Sequence, residues 1–186
     1  MKVLITGGAG YLGTVLTEEI LNRFPYAKVI IYDNLMYKQD GLFSFFKYPK
    51  DRFEFVYGDV RDKNSLLEQL QKLDKNNDYV IPLAAIVGFP ACARDEKLAT
   101  AVNFEHVKYI VQSTKCRIIY PNTNSGYGVS DGEAHCTEET PLAPISVYGR
   151  TKCDAEEWVL GAGHTSLRLA TVFGTSYRFR KDLLVN

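Results

Sequence analysis

A tyrosine and a lysine are spaced so that they could share an acid–base site. They stand four residues apart in Tyr148-Gly149-Arg150-Thr151-Lys152, inside the run 146–160, which predicts a helix capped by Ser146. Side chains at this spacing lie on the same face of a helix. A positive charge beside a phenol lowers its pKa from about 10 towards neutrality, which makes the phenol a general acid and base. The spacing also arises on exposed helix faces, so a second signal is needed.

A glycine-rich turn provides that signal. The sequence T-G-G-A-G-Y-L-G spans residues 6–13, directly after the apolar run 3–5 and at the start of a predicted helix, 11–24. Its glycines fit two versions of the dinucleotide-binding fingerprint: Gly8, Gly10 and Gly13 fit G-x-G-x-x-G, and Gly7, Gly10 and Gly13 fit G-x-x-G-x-x-G. Glycine allows the tight turn and lets backbone amides approach a pyrophosphate at the positive end of the helix. The turn therefore predicts dinucleotide binding.

An aspartate stands where the fingerprint requires an acid. Asp33 follows the apolar run 29–32, and about 20 residues is the usual spacing from the glycines to the carboxylate that binds the adenosine ribose. Asp33 would repel the 2′-phosphate of NADP, and no arginine stands beside Asn34 in the sequence to receive one. These residues therefore favour NAD.

The elements that must position these residues alternate along the chain. Runs rich in β-branched and aromatic residues predict strands at 3–5, 29–32, 53–57, 79–81, 117–120 and 165–169. Apolar spacings of three and four predict helices at 11–24, 62–73, 96–114 and 146–160. The strands are apolar at consecutive positions, which is typical of a parallel sheet covered on both faces. Residues 1–186 are thus predicted to form one α/β domain, a Rossmann-type doubly wound parallel sheet with helices on both faces.

Composition excludes several classes of partner. Basic and acidic residues each total 22, so the formal net charge is zero and no overall field attracts nucleic acid or an anionic membrane. The chain has no secretory h-region and no run of about 18 apolar residues, which favours a cytoplasmic protein with no membrane partner. The four cysteines lack C-x-x-C spacing and the three histidines lack ligand spacing, so we predict reduced thiols and no metal site.

With these features the chain resembles the extended short-chain dehydrogenase/reductases, specifically the NAD-dependent epimerase/dehydratase family that acts on nucleotide sugars. The resemblance covers essentially the whole chain. Besides the glycine turn and the Tyr-Lys pair, the matching segments are YDNL at 32–35, GDVRD at 58–62, LAA at 83–85, Asn103, NTNSGYG at 122–128, LRL at 167–169 and FG at 173–174. The resemblance implies an enzyme that uses NAD, acts on a nucleotide sugar and forms a homodimer through the helices 96–114 and 146–160.

The resemblance also implies which residues bind the cofactor and the substrate. Asp59 and Val60 would contact the adenine. The expected cofactor contacts as a set are Gly7, Gly10, Tyr11, Leu12, Gly13, Asp33, Asn34, Asp59, Val60, Leu83, Ala84, Ala85, Asn103, Tyr148 and Lys152. The expected substrate contacts are Val87, Asn124, Ser125 and Thr171.

A catalytic triad follows from the same resemblance. Aligning Tyr127-Gly128 with the V-Y-G of the family places the catalytic Ser/Thr at Thr123, which would form the triad with Tyr148 and Lys152. Tyr148 would take the proton of a sugar hydroxyl, normally at C4, while the hydride passes to the nicotinamide. Thr123 would hydrogen-bond the reacting oxygen, and Lys152 would hold the nicotinamide ribose and keep Tyr148 acidic.

The two positions after Thr123 bear on the reaction type. Dehydratases of the family carry acidic residues there to eliminate water, whereas this chain has Asn124 and Ser125. We therefore expect an epimerase, which forms a 4-keto sugar and returns the hydride to its opposite face. The alternatives are a nucleotide-sugar reductase or dehydratase, and an NAD-binding module without turnover. Pro82 and Thr171 also depart from the family pattern, which leaves the substrate open.

The C-terminal end carries an expectation about completeness. The chain stops just after an apolar run, 183–185, that resembles the beginning of a helix. By resemblance, much of the sugar-nucleotide pocket belongs to a further C-terminal segment. We therefore expect a truncated chain that lacks most of the substrate-binding part and that binds NAD with little turnover.

Overall fold

Six strands form one parallel sheet within residues 1–129 and 135–178, the part of the chain that the computed structural model describes. The strands are β1 (Lys2–Thr6), β2 (Lys28–Asp33), β3 (Phe53–Tyr57), β4 (Tyr79–Pro82), β5 (Arg117–Thr123) and β6 (Thr165–Leu169). Their order is β3-β2-β1-β4-β5-β6, and every pairing is parallel. The prediction of a Rossmann-type doubly wound sheet is confirmed. The apolar run 183–185 lies outside the described residues.

Helices and short helical turns connect the strands. They are α1 (Tyr11–Arg23), α2 (Lys63–Leu70), α3 (Phe89–Arg94), α4 (Glu96–Thr100), α5 (His106–Ser113) and α6 (Val147–Gly161), with a π-helical turn at Ala101–Glu105 and 3-10 turns at Gly41–Phe45 and Asn124–Tyr127. Ser146 caps α6 as predicted, because its Oγ accepts a hydrogen bond from the N–H of Gly149 at 2.9 Å. No helix in the described ranges combines the length and the apolar character needed to cross a membrane.

The sheet has a hydrophobic core on each face. Leu4 of β1 belongs to one buried cluster, whereas its neighbours Val3 and Ile5 belong to the other. Successive side chains of a strand point to opposite faces, so both faces of β1 are covered. This double burial accounts for the strand's continuous apolar sequence.

The order of the strands reverses at β1. The chain runs from β1 outward to β3 and then returns to place β4 on the other side of β1, with Val3 opposite Tyr79 and Ile5 opposite Ile81. The connections that leave the carboxyl ends of β1 and β4 therefore diverge. In this fold, ligands bind in the crevice that opens at such a switch point.

The third predicted helix, 96–114, is interrupted. The π-helical turn separates α4 from α5 and carries Asn103, whose amide reaches both backbone groups of Ile86. Apolar spacing continues across the turn, so the sequence pattern could not reveal it. The short helix α3 has no counterpart among the predicted helices, because its six residues are too few to show a helical period.

Candidate active site

The glycine turn holds the loop after β1 against the loop after β4. Gly7 has a φ of +70°, and a Cβ built on it would lie 2.5 Å from the backbone Cα and N of Ala84. A Cβ on Gly13 would lie 2.4 Å from the carbonyl oxygen of Gly8. Glycine is therefore required at both positions. The turn can pack this closely only because side chains are absent where the two loops and the start of α1 meet.

Asp33 fastens the glycine turn to the end of β2. The residue is buried, and its Oδ2 accepts a hydrogen bond from the N–H of Ala9 at 3.0 Å while its Oδ1 accepts one from Leu35 at 2.8 Å. Burial raises the pKa of the Asp33 carboxyl, and the two backbone donors oppose that shift. A carboxylate has about four lone-pair sites, so about two remain for the hydroxyls of a ribose.

Asp59 organises the end of β3 next to Asp33. Arg61 binds it with two nitrogens, Nε to Oδ1 at 2.9 Å and Nη2 to Oδ2 at 2.7 Å, and Asn34 donates to the same Oδ2 at 3.0 Å. These contacts hold the pKa of the Asp59 carboxyl well below its usual range. The loops after β2 and β3 are thereby joined beside Asp33.

A cleft of about 780 Å³ runs along these loops and the loop after β4. The predicted cofactor residues that line it are Gly7, Gly10, Tyr11, Leu12, Gly13, Asp33, Asn34, Asp59, Val60, Leu83, Ala84 and Ala85. Its volume lies within the range of roughly 300–1,000 Å³ that small-molecule and cofactor sites occupy. A close-packed glycine turn, a carboxylate with spare acceptor sites and a cleft of this size fit a dinucleotide.

The cleft is also lined by residues that were not among the predicted cofactor or substrate contacts. They are Tyr32, Met36, Tyr37, Gln39, Gly58, Arg61, Ala91, Leu98, Val102 and Arg178. Arg61 could have been found, because it belongs to the GDVRD segment that already supplied Asp59 and Val60. Arg178 gave no such signal, since it reaches the cleft only through tertiary contacts.

Those contacts hold the segment after β6 across the start of α1. The Oγ of Ser176 donates to the carbonyl of Tyr11 at 2.7 Å, and the Oη of Tyr177 donates to Glu18 at 2.6 Å. The guanidinium of Arg178 then lies 4.8 Å from the centre of the Tyr37 ring. No arginine stands next to Asn34 in the sequence, but the fold brings Arg61 and Arg178 to the same cleft.

Lys152 is the most deeply placed of the three predicted catalytic residues. It is 5% exposed, its Nζ donates to the carbonyl of Pro121 at 2.7 Å, and the same nitrogen lies 4.0 Å from the centre of the Tyr120 ring. Burial lowers the pKa of the Lys152 amine to about 7. The lysine is therefore close to titrating at neutral pH.

Thr123 and Tyr148 approach the same region from two elements. Thr123 ends β5, where its Oγ1 donates to the Ser125 Oγ at 3.1 Å and accepts from the Ser125 N–H at 3.2 Å. Tyr148 is half-buried in the first turn of α6 and packs against the core cluster that contains Val60 and Val102, two of the cleft residues. None of the three triad residues is among the described residues that line the cleft.

Asn103 is likewise not among the described residues that line the cleft. It is 1% exposed; its Oδ1 accepts from the N–H of Ile86 at 2.8 Å, and its Nδ2 donates to the carbonyl of Ile86 at 3.0 Å and to the Oγ1 of Thr151 at 3.2 Å. Asn103 thus joins the loop after β4 to α6. Direct contact between Asn103 and the cofactor stays a prediction.

The predicted substrate residues are distributed around the site. Val87 is exposed and lines the cleft. Asn124 and Ser125 are exposed in the 3-10 turn after β5, and Thr171 is exposed after β6. Val87 is therefore the member of this set that the described structure brings to the cleft.

Known proteins share this sequence and fold. A UDP-glucose epimerase described as uncharacterized, YtcB of Bacillus subtilis, is 29% identical over 96% of this chain and 58% of its own length. A CDP-paratose 2-epimerase of Salmonella typhi is 28% identical over 86% of this chain and 52% of its length, and a dTDP-glucose 4,6-dehydratase of Mycobacterium tuberculosis is 29% identical over 88% and 50%. The chain thus spans between half and three fifths of the length of these relatives.

A solved structure matches the fold closely. The UDP-glucuronic acid 4-epimerase of Bacillus cereus in complex with NAD superposes with a TM-score of 0.84 at 27% identity, over 98% of this chain and 60% of that protein. The model of the NAD dependent epimerase/dehydratase family matches residues 3–184. This match confirms the resemblance, and the dependence of the family on NAD agrees with the cofactor predicted from Asp33. The chain is a member of the NAD-dependent epimerase/dehydratase family of enzymes.

Proposed function

We propose that this chain supplies the NAD-binding and catalytic part of a nucleotide-sugar 4-epimerase. The observation that supports the proposal is that α6, which carries Tyr148 and Lys152 one turn apart, packs against the end of β5: Lys152 contacts Tyr120 and Pro121, three and two residues before Thr123. A chain that only sensed NAD would have no chemical need for a threonine, a tyrosine and a lysine in this arrangement.

In the proposed reaction, Tyr148 exchanges a proton with the sugar hydroxyl. Lys152 keeps its amine beside Tyr120 and the Pro121 carbonyl, where its positive charge favours the phenolate form of Tyr148. Thr123 offers a hydroxyl to the reacting oxygen. NAD, when bound, supplies the hydride acceptor and donor. Asp33 would hold the adenosine ribose, and the N–H groups of the glycine turn would hold the pyrophosphate.

The side chains after Thr123 favour epimerisation over dehydration. Asn124 and Ser125 occupy the turn where elimination of water would require a carboxylic acid and its conjugate base. Without that pair, we expect the oxidised sugar to be reduced again. Return of the hydride to the opposite face gives the epimer.

The proposal is tested with NAD and a panel of UDP-, GDP-, dTDP- and CDP-sugars. We expect the chain to bind NAD, and the natural full-length protein to form the C4 epimer. Tyr148→Phe should abolish turnover and leave the Kd for NAD within about 2-fold, since the phenol serves the proton transfer. Tyr26→Phe, at a side chain that is 95% exposed, is the matched control.

Three results would replace this proposal. Net consumption of NADH or NADPH with a keto sugar would indicate a reductase. Formation of a 4-keto-6-deoxy sugar would indicate a dehydratase. Tight NAD binding without conversion of any sugar by the full-length protein would indicate a binding module.

We also propose that the protein forms a homodimer through α5 and α6. These helices lie side by side, and the Nζ of Lys108 on α5 lies 4.6 Å from the centre of the partly exposed Trp158 ring on α6. Sedimentation velocity should give a dimer that Trp158→Glu dissociates. A monomer at every concentration would contradict the proposed dimer.

A further inference from the structure

A buried ion pair lies one helical turn beyond Lys152. Glu156 of α6 accepts hydrogen bonds from Arg168 of β6, with Nη2 to Oε2 at 2.9 Å and Nε to the two carboxylate oxygens at 3.1 and 3.0 Å. The Oγ of Ser166 donates to the same carboxylate at 2.6 Å. The side chains of Glu156 and Arg168 are 3% and 16% exposed. The pair therefore ties the helix that carries Lys152 to the strand beside β5.

The other side of the Arg168 guanidinium reaches the turn that follows Thr123. Its Nη1 donates to the Oη of Tyr127 at 3.2 Å and to the carbonyl of Glu138 at 3.0 Å. The Oη of Tyr127 in turn donates to the carbonyl of Thr137 at 3.0 Å. One guanidinium thus links α6, β6, the turn Asn124–Tyr127 and the segment 137–138.

The burial of this pair sets it apart from the other ion pairs in the described residues. Arg23–Glu19, Lys28–Glu54 and Arg61–Asp59 keep side chains that are between 24% and 75% exposed. A buried ion pair loses much of its Coulomb energy to desolvation and is weak evidence for stability. Its geometry is nevertheless narrowly defined, because a guanidinium fork fits a carboxylate in few orientations.

We propose that Glu156 and Arg168 are positioning residues that set the placement of Lys152 on α6 relative to Thr123 and the turn after β5. Neither residue of the pair is among the described residues that line the cleft. The inference rests on the proposed function, because it assigns a role to residues that hold the proposed triad. Their effect on the reaction passes through Lys152 and through Tyr127.

Charge provides a second link between the pair and the triad. The carboxylate of Glu156 raises the pKa of the Lys152 amine, against the lowering caused by burial. The titratable groups that face Lys152 from the elements around it are Tyr148, Cys153 and Glu156 on α6, Tyr120 on β5 and His106 on α5. Among these groups, the Glu156 carboxylate is the anion that helps to keep Lys152 protonated. Loss of its charge should therefore lower the pKa of Lys152 further.

The first test replaces the charge of Glu156 by Glu156→Gln in the natural full-length protein. We expect kcat to fall about 100-fold with a nearly constant KM, because a small displacement of a catalytic group has an effect of that size. The alkaline limb of the pH profile should move to lower pH, since Lys152 would lose its proton more readily. Glu157→Gln, at an exposed neighbour on α6, is the matched control.

The second test needs no turnover. The titration of Lys152, followed by NMR of the isotope-labelled chain and assigned with Lys152→Arg, should move to lower pH in Glu156→Gln and stay unchanged in Glu157→Gln. Hydrogen exchange should rise at 124–127 in Arg168→Lys, which keeps the charge but not the fork. If Glu156→Gln does not fold, Tyr127→Phe tests the hydrogen bond from the Arg168 Nη1 to the Tyr127 Oη. We expect this variant to lose about 10-fold in kcat.

The outcomes separate this inference from the proposed function. If Tyr148→Phe abolishes turnover while Glu156→Gln and Tyr127→Phe keep the wild-type kcat and pH profile, the positioning role is wrong and the epimerase proposal stands. An unchanged Lys152 titration in Glu156→Gln would overturn the electrostatic link. If Tyr148→Phe retains full turnover, the proposed function itself fails.

Discussion

The cofactor side and the proposed catalytic side of the site are built by different means. On the cofactor side, backbone groups and missing side chains set the geometry: Gly7 lies against Ala84, and Asp33 binds the N–H of Ala9. On the catalytic side, buried ionisable groups set it: Lys152 lies on Tyr120, and Glu156 binds Arg168. The first arrangement depends on shape and the second on charge, so the two should respond differently to substitution and to pH.

The largest expected effect comes from adding a methyl group on the cofactor side. Gly7→Ala places a Cβ 2.5 Å from the backbone of Ala84 at a φ of +70°, so the loops after β1 and β4 must separate. We expect NAD affinity to fall at least about 100-fold and stability to fall by more than the roughly 1–3 kcal/mol of backbone strain alone. Calorimetric titration and thermal denaturation measure the two effects.

Gly163→Ala is the matched control for that substitution. Gly163 has a φ of +78° but has nothing within 4 Å of the position of a Cβ. It should show the cost of the left-handed backbone, about 1 kcal/mol, without loss of NAD binding. Equal loss of NAD affinity in the two variants would show that contact with Ala84 is not what matters.

The cofactor side could be predicted from the sequence because its determinants are local. The turn at 6–13 joins a strand to a helix within a few residues, and Asp33 ends the next strand. Each of these features carries a pattern of residue types that short-range geometry requires. The predicted bounds of β3, 53–57, match the observed strand, and those predicted for β2, 29–32, are one residue short at each end. Both runs could be found because they end at polar or glycine residues.

The catalytic side could be predicted only in part. The spacing of Tyr148 and Lys152 is local to one helix, but their relation to Thr123 came from family resemblance. The pairing of Glu156 with Arg168 gives no signal at all, because a charged residue on a predicted helix is normally solvated. Arg178 and the π-helical turn at Ala101–Glu105 escape for a related reason: both depend on contacts between elements that are distant in sequence.

A pH titration should sharpen the comparison on the catalytic side. The Lys152 pKa is about 7 in the folded chain and 10.5 for the free side chain, so the unfolded chain binds the additional proton between these values. Stability therefore gains up to about 1.4 kcal/mol per pH unit from Lys152 as the pH rises above 7. Denaturant unfolding at several pH values should show the free energy of unfolding of wild type rising relative to that of Lys152→Met from about pH 7 to about pH 10.5.

A constant difference in the free energy of unfolding between wild type and Lys152→Met across this pH range would show that Lys152 is solvated and charged in the native state. That result would also remove the electrostatic contrast between the two sides. Lys115→Met, at an exposed lysine, is the matched control.

A second titration concerns the opposite end of the pH scale. His106 begins α5, is 3% exposed, and burial lowers its pKa to about 3 from 6.5. Between about pH 6.5 and pH 3 the His106 imidazole binds a proton in the unfolded chain but not in the folded chain. The free energy of unfolding of wild type therefore falls by up to about 1.4 kcal/mol per pH unit as the pH falls. His106→Leu should lack this loss, and urea unfolding at several pH values measures the difference. Equal acid sensitivity of the two proteins would contradict a buried neutral histidine.

The smallest expected effect lies back on the cofactor side, where charge enters through Asp33. Asp33→Asn keeps an oxygen for the N–H of Ala9 but removes the charge that repels a 2′-phosphate. Arg61 and Arg178 also line the cleft and would attract that phosphate. We expect NAD affinity to fall about 5-fold, from the loss of roughly 1 kcal/mol of hydrogen bonding, and the ratio of the Kd for NADP to that for NAD to fall about 10-fold. If that ratio does not change, shape rather than charge selects the cofactor, and the contrast between the two sides becomes complete.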